Sequence, residues 1–248
     1  GRPLTQLEIE LSSGWNIIGS LFYPVNTSEI ISEPEGSIIS IFGLDNGYYL
    51  ADEILPGYGY WVEVSQDCSI FMESSFSRNC GDVLARNSVA KCSELQSERS
   101  ESLITLNINE QAGLLFGFAE NASDGIDPDL NEVNLPPLPP VSVFDCRFLL
   151  PDNCSSITDI RSASDIEAEY ILSWQAASYP FLISWDAGAF GENEEYLMTD
   201  AINGEFVNID MRDTEELVIS ETQSYITGLP MIVTMPVDNN ENELDQLK

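Results

Sequence analysis

The sequence predicts an all-β protein, a small antiparallel β domain followed by an immunoglobulin-like β-sandwich domain. Three observations lead there. Short apolar runs rich in β-branched and aromatic residues recur along the chain, each bounded by Gly, Pro, Asn, Asp or Ser. A single weak helical window, within Ser75 to Arg99, interrupts them. Hydrophobic residues make up 43% of the 248, enough to bury one large core or two modest ones and to exclude a disordered acidic chain.

Leu7 to Leu11 and Trp15 to Phe22 are apolar runs broken at Ser12-Ser13-Gly14, which reads as a strand, a tight turn and a second strand, an opening hairpin. Ser37 to Phe42 is rich in Ile, and Asp45-Asn46-Gly47 supplies the turn that returns the chain into Tyr48-Tyr49-Leu50. Pro56-Gly57 and Gly59 precede the strand Tyr60 to Val64, and Cys68 to Met72 follows the Gln66-Asp67 turn. Five or six strands within about seventy residues make a small antiparallel domain, bounded at 1–74.

From Ser75 to Arg99 the pattern dissolves into polar residues around Cys80 and Cys92, a connector expected over 75–99. Alternation resumes at Leu103 to Ile108, and Gly113 to Ala119 is apolar enough for a core strand. The prolines of Asn121 to Pro140 cannot lie in a central strand, so that stretch is expected to be extended and surface-lying. Val143 to Leu150, Tyr170 to Gln175, Phe181 to Trp185, Tyr196 to Thr199, Glu205 to Met211, Leu217 to Ser220 and Ile232 to Met235 follow, each short and bounded by turn residues. Seven to nine strands in about 135 residues predict the β-sandwich, over 100–236, with an acidic tail at 237–248.

Two stretches resemble known modules. Gly14-Trp15-Asn16-Ile17-Ile18-Gly19, Asn46-Gly47-Tyr48 and Pro56-Gly57-Tyr58-Gly59-Tyr60-Trp61-Val62 resemble the "GWNLIG…PGxGYWV" module of large secreted and surface proteins of bacteria in and around the Bacteroidetes. The resemblance covers about residues 5 to 73 and implies a non-catalytic β unit of a multidomain surface protein. Phe116-Gly117, Asn121 to Asp127, Leu135 to Pro140, Val143-Phe144-Asp145, Arg147-Phe148, Tyr179-Pro180, Ile183-Ser184-Trp185, Asp200, Asn203-Gly204 and Val207 to Met211 resemble the β-sandwich that precedes C-terminal, type IX-like sorting domains in such proteins. The Asn-Pro-Phe-Asn-Pro sorting segment of that family has no counterpart, and an acidic tail stands in its place.

Charge narrows the function classes. Lys and Arg total 9, Asp and Glu total 42, His is absent, and the formal net charge is -33. Such a surface repels phosphate backbones and anionic headgroups, which argues against nucleic-acid and peripheral membrane partners. No apolar run reaches the roughly 18 residues that span a bilayer, so membrane insertion is not expected. Gly1 to Leu7 lacks the apolar stretch of a signal peptide, and the chain reads as a mature or excised soluble segment. Without His, no Ser-His-Asp, Cys-His or His-zinc mechanism is available. The only lysines are Lys91 and Lys248, a balance that fits a marine or halophilic exterior and also an acidic secreted protein at ordinary salinity.

Cys80 and Cys92 bracket one short polar loop and Cys146 and Cys154 another, which predicts two disulfide staples and an oxidising, extracellular compartment. Neither spacing has the Cys-x-x-Cys form of a metal knuckle. Cys68 is left over, either buried in a strand or placed to cross-link another chain. The sequons at Asn26, Asn121 and Asn153 carry little information in so short a motif.

Asp124, Asp127, Asp129 and Glu132 cluster on a Gly-containing loop and offer the oxygen ligands a Ca²⁺ ion needs, although their spacing is not that of an EF-hand. The competing reading has Asp124 and Asp127 capping turns while the others are solvated. Trp15, Tyr48, Tyr49, Tyr58, Tyr60 and Trp61 form the densest aromatic set, suited either to stacking on sugar rings or to packing. Alternation places Tyr60 and Val62 on one face and Trp61 and Glu63 on the other, the latter partly solvated. Leu4, Leu7 and Ile9 alternate like a pairing strand and mark an assembly edge, or an ordinary first strand. Paired carboxylates of a glycoside hydrolase remain an alternative, but no nucleophile elbow, phosphate-binding loop or dinucleotide motif occurs. The expectation is a non-catalytic secreted or cell-surface protein, a subunit of a fibre or surface assembly whose partners are copies of itself or other surface proteins. The first alternative is a carbohydrate-binding or adhesion module.

Overall fold

A computed structural model describes residues 4–45, 47–73, 103–109, 112–175, 177–200, 202 and 204–235, and these fall into two units. Residues 4–73 and Leu135–Asp145 belong to the first, 103–134 and 146–235 to the second. The fold is all-β, as predicted, and the only helical elements among the described residues are short 3-10 turns. The connector with Cys80 and Cys92 and the acidic tail lie outside the described residues.

The first unit contains β1 (Gln6–Leu11), β2 (Gly14–Gly19), β3 (Val25–Asn26), β4 (Ile31–Glu33), β5 (Ile38–Leu44), β6 (Tyr48–Leu50), β7 (Glu53–Ile54), β8 (Gly59–Val64) and β9 (Cys68–Glu73). Two sheets result, with orders β1-β9-β4 and β2-β8-β5-β6, while β3 and β7 pair separately. The β5–β6 hairpin forms as expected, with Phe42 opposite Leu50. The opening hairpin does not. β1 pairs with β9, setting Leu11 opposite Cys68, and β2 pairs with β8, setting Gly14 opposite Val64. The two ladders are successive stretches of one ribbon that crosses from sheet to sheet, and strands that switch sheets in this way make the corners of a two-sheet fold.

The corner is built by local chemistry. Gly14 takes φ +93°, a left-handed value that suits glycine. The Asn16 amide accepts the Ser12 N–H at 3.2 Å and donates to the Ser12 and Gly14 carbonyls at 2.7 and 3.0 Å. Across the ribbon, the Ser13 N–H donates to the Asp67 carboxylate at 2.8 Å. Between the sheets, Leu11, Ile18, Ile41, Ile54, Tyr60, Val62, Val64, Cys68, Ile70 and Met72 form a continuous core.

In the second unit β10 (Ile104–Ile108), β11 (Ala112–Ala119), β12 (Asp145–Leu149), β13 (Ser155–Ser156), β14 (Thr158–Ser162), β15 (Glu167–Gln175), β16 (Phe181–Ser184), β17 (Glu195–Thr199), β18 (Asn208–Asp210), β19 (Glu216–Ile219) and β20 (Gly228–Thr234) form two sheets. Their orders are β14-β11-β10-β16-β19 and β13-β12-β15-β20-β17-β18. β10 with β11 and β16, β12 with β13, β15 with β20, β16 with β19 and β17 with β18 and β20 pair antiparallel, while β11 pairs with β14 in parallel. At the centre Phe116 meets Tyr170 at 5.1 Å and both Phe148 and Tyr196 at 6.4 Å, edge to face, one of the arrangements aromatic rings prefer.

Three local expectations are corrected. The stretch from Asn121 to Pro140 is not wholly surface-lying: Glu132 and Leu135 are 1% and 4% exposed, and Pro136 and Pro139 are buried too. β14 was not foreseen, because Asp159 and Arg161 disguise a strand whose inner positions are charged. β20 begins at Gly228, four residues before the expected start at Ile232, and so contains Pro230. β17 pairs with β20 only from Met231 onward, so at Pro230 one side of β20 carries no ladder and the missing N–H is tolerated.

Candidate functional site

The aromatic set divides between the two faces of the β2-β8-β5-β6 sheet. Tyr60 is 2% exposed and packs in the core, where its hydroxyl accepts the Leu55 N–H at 2.9 Å and secures the Pro56-Gly57 turn. Tyr49 lies against the same core, and burial, aided by Tyr60 and Asp45, pushes its phenol up to about 12. Tyr58 is 63% exposed. Trp61 lies on the opposite face, as alternation predicted, and Trp15, opposite Glu63 in the ladder, meets it there edge to face at 6.2 Å.

That face continues through Phe42, which the sequence reading did not single out, to Tyr48. Phe42 stands opposite Trp61 in the ladder and lies 6.0 Å from Trp15 and 6.3 Å from Tyr48. Four rings therefore form an unbroken row, Trp61–Trp15–Phe42–Tyr48. Phe42 is only 2% exposed although it lies outside the core cluster. The Tyr48 hydroxyl donates to the Pro137 carbonyl at 2.9 Å, tying the proline-rich segment to this unit. Phe42 could have been suspected from its period-two spacing with Leu44 and Ser40, but its neighbour Ile41 has equal claim to the core.

The four loop carboxylates do not converge. Asp127 closes its own turn by accepting the Ser123 N–H at 2.6 Å and hydroxyl at 3.1 Å, the capping role weighed against calcium. Asp124 instead reaches Arg161 at 3.3 Å, and Asp129 is exposed. Glu132 turns inward, accepting the N–H of Asp127 at 2.8 Å and of Ile160 at 2.6 Å. Its expected solvation is thus corrected. Burial, outweighing those two bonds, raises it to about 7. Among the described residues no group of three or more His, Cys, Asp or Glu is disposed to hold a metal ion.

Beside Glu132 lies a buried ion pair that the sequence did not announce. Arg161 contacts Asp159 at 2.7 and 2.9 Å, and both residues are almost fully buried. Burial raises Asp159 to about 6 against the pull of Arg161. For Arg161, burial works to lower the pKa, but Asp159 and Asp124 hold it above its ordinary value. Both residues belong to β14, and Arg161 also reaches the Asp124 carbonyl at 3.3 Å, so the pair joins β14 to the 124–132 loop; a buried pair of this kind is by itself a weak source of stability.

The predicted Cys146–Cys154 staple is not formed. The β12–β13 register places Phe148 opposite Ser156, and the Leu150 N–H bonds the Cys154 carbonyl at 3.0 Å. Cys154 therefore faces Leu150, four positions or about 13 Å along the strand from Cys146, well beyond the roughly 7 Å a disulfide tolerates. Cys68 is buried in β9 at 5% exposure, the first of its two predicted situations.

Leu7 and Ile9 pack partly against the core and Leu4 is 53% exposed, its carbonyl accepting the Phe22 N–H at 3.1 Å. β1 is thus a regular first strand, and it occupies a sheet edge. A shallow recess lined by Ala187, Arg212, Asp213, Thr214, Glu215 and Glu216 has its one cation engaged: Arg212 donates to the carbonyls of Glu194 and Gly191 and lies over the Tyr196 ring at 5.7 Å. No protein-family model, curated protein or solved structure matches the chain.

Proposed function

We propose that the chain is a non-catalytic structural or interaction unit of a secreted or cell-surface assembly, joined to neighbours through the edge formed by β1 and β2. One observation carries this reading. Both strands are terminal in their sheets, and because they are consecutive they present one edge from Gln6 to Gly19 with a single corner at Ser12-Ser13. Unpaired N–H and C=O groups along such an edge template the addition of another strand. Ile17, 66% exposed in the middle of β2, adds an apolar contact. The extracellular setting is supported by the acidic balance and by the two module resemblances.

Mass photometry and negative-stain imaging of the native protein across concentration and salt, with and without chelator and reductant, test the proposal. Ordered polymers that an Ile17→Lys variant shortens or abolishes are expected, since a lysine on an edge opposes strand addition. A uniform monomer under every condition overturns it and directs attention to glycan binding at Tyr58.

A further inference from the structure

The outer face of the β1-β9-β4 sheet frames an exposed apolar pair with carboxylates. One cross-strand row on that face reads Glu8–Phe71–Ile31 and the next reads Glu10–Ser69–Glu33. Phe71 is 38% and Ile31 62% exposed, while the alternate residues Cys68, Ile70 and Met72 of β9 are buried in the core. Neighbours within a row have Cβ atoms about 5 Å apart and diagonal neighbours about 7–8 Å, so Glu8 borders the Phe71 ring with Glu10 and Glu33 close by. Glu73, two positions along β9 on the same face, lies about 7 Å from it. Two of these carboxylates are held in place: the Gln6 amide donates to Glu73 at 2.7 Å and the Ser69 hydroxyl to Glu10 at 2.9 Å.

No described cation answers these carboxylates. Residues 4–73 and 135–145 contain no Lys, Arg or His. The three described arginines lie in the second unit and have partners of their own: Arg147 donates to the Ser155 hydroxyl, Arg161 pairs with Asp159, and Arg212 donates to the carbonyls of Glu194 and Gly191. Through its described residues a second copy of the chain therefore brings only further carboxylates to this face. From this we infer that the outer face of the β1-β9-β4 sheet is a docking surface for an arginine-bearing segment of another polypeptide. A guanidinium lies flat on an aromatic ring and at the same time forks onto a carboxylate, which a strongly hydrated ammonium does less well. Phe71 supplies the ring, Glu8 and Glu73 the carboxylates, and Ile31 a place for the apolar residue beside the arginine.

The inference stands apart from strand addition at the β1–β2 edge. It uses side chains across the sheet as far as β4, whereas strand addition uses the free backbone of β1 and β2. An exposed cation–π contact corresponds to about two- to fivefold in affinity, and that increment separates arginine from lysine. The attraction common to both cations is screened within about 8 Å at physiological ionic strength, so binding weakens as salt is added.

The test titrates the full chain with a capped peptide Ser-Arg-Val-Arg-Val-Ser and with counterparts carrying lysine or glutamate in place of both arginines, the backbone amide signals being followed by NMR. The arginine peptide is expected to give saturable shifts on β1, β9 and β4 together, the lysine peptide to need about two- to fivefold more, and the glutamate peptide to shift nothing. Phe71→Leu is expected to remove the preference for arginine while leaving the charge-driven part. Ile17→Lys, which opposes strand addition, is expected to leave the arginine midpoint unchanged, so this inference and the edge reading fail separately. Equal midpoints for arginine and lysine in the wild type, or no shift at several millimolar peptide, overturn the proposal. Shifts confined to β1 overturn it in favour of a strand added at the edge, and the same shifts on concentrating the protein alone overturn it in favour of a second copy. Should Phe71→Leu not fold, Glu8→Gln/Glu73→Gln takes its place: a severalfold rise in the arginine midpoint is expected, and an unchanged midpoint overturns the proposal.

Discussion

Replacing Glu132 by Gln separates what a buried carboxylate contributes from what its shape contributes. The side chain is 1% exposed and holds the N–H groups of Asp127 and Ile160, bridging the 124–132 loop to β14. Burial is the main cause of its rise from 4.5 to about 7, reinforced by the charges of Asp159 and Asp127 and opposed by the two N–H bonds. A carboxyl group whose folded pKa exceeds its unfolded value binds more protons when folded, so its stabilising contribution is fully present below about pH 4.5 and declines as pH rises through about 7. At 1.36 kcal/mol per pKa unit the whole interval corresponds to about 3.4 kcal/mol, of which about 2.5 kcal/mol falls between pH 5 and pH 8. Glutamine cannot ionise. Its amide accepts one of the two N–H groups and turns its NH₂ toward the other, a cost of about 1–3 kcal/mol that does not vary with pH. The stability difference between the two proteins is therefore expected to move by about 2.5 kcal/mol in favour of Glu132→Gln from pH 5 to pH 8, whatever the constant offset. Urea unfolding at four pH values, read from Trp174 and Trp185 in a Trp15→Phe/Trp61→Phe background, measures it. A difference that stays constant with pH refutes the account, because it would mean that the carboxylate is ionised throughout or relieved by water.

Tyr170→Phe removes a hydroxyl that donates to the Gly117 carbonyl at 2.8 Å inside the second core; the unpaired carbonyl is expected to cost about 1–3 kcal/mol in urea unfolding, and an unchanged midpoint contradicts the bond. At Asp200 burial works to raise the pKa, but the N–H groups of Val207, Phe206, Ile202 and Gly204 hold it below 3.8. Its contribution is thus present above that value and lost as pH falls through the folded pKa, and Asp200→Asn is expected to speed hydrogen exchange at Phe206 and Val207. Cys68, 5% exposed, is expected to resist alkylation in the native protein and to react on unfolding. Non-reducing peptide mapping is expected to contain no Cys146–Cys154 link.

How much of this could be read beforehand depends on whether the signal is local. The β5–β6 hairpin was legible because Asp45-Asn46-Gly47 encodes its reversal and Phe42 to Leu50 its register. The Gly14-Trp15-Asn16 motif was visible too, but its meaning was not. Gly14 serves the corner, Asn16 binds the Ser12 backbone and Trp15 faces the aromatic row, so three adjacent residues act in three directions. Ser12-Ser13-Gly14 looks the same whether the chain reverses or turns a corner, because the distinction lies in partners some fifty residues away. Cys146 and Cys154 failed for the same reason: an eight-residue spacing suits a loop staple until a strand register draws the ends apart.

The buried charges mark the harder limit. Asp159, Arg161 and Glu132 are residue types that a sequence reading assigns to the surface by default, and in a chain with 42 acidic residues no pattern sets two of them apart. Their burial follows from a parallel strand pair, β11 with β14, which places Phe116 beside Asp159 and Gly117 beside Ile160. Only once β14 is seated there does the Ile160 N–H face Glu132, and only then does the loop that looked like a calcium site become an anchor for β14. The same reasoning bears on the proline-rich segment. Its prolines keep it out of a central strand, as expected, but the stretch is not simply extended: a 3-10 turn at Pro128–Leu130 and a bend at Pro137 interrupt it, and the Tyr48 hydroxyl holds the Pro137 carbonyl. A run of prolines is legible because it is a run of neighbours, whereas the side chain that anchors it, Tyr48, comes from some ninety residues away and is a product of the fold.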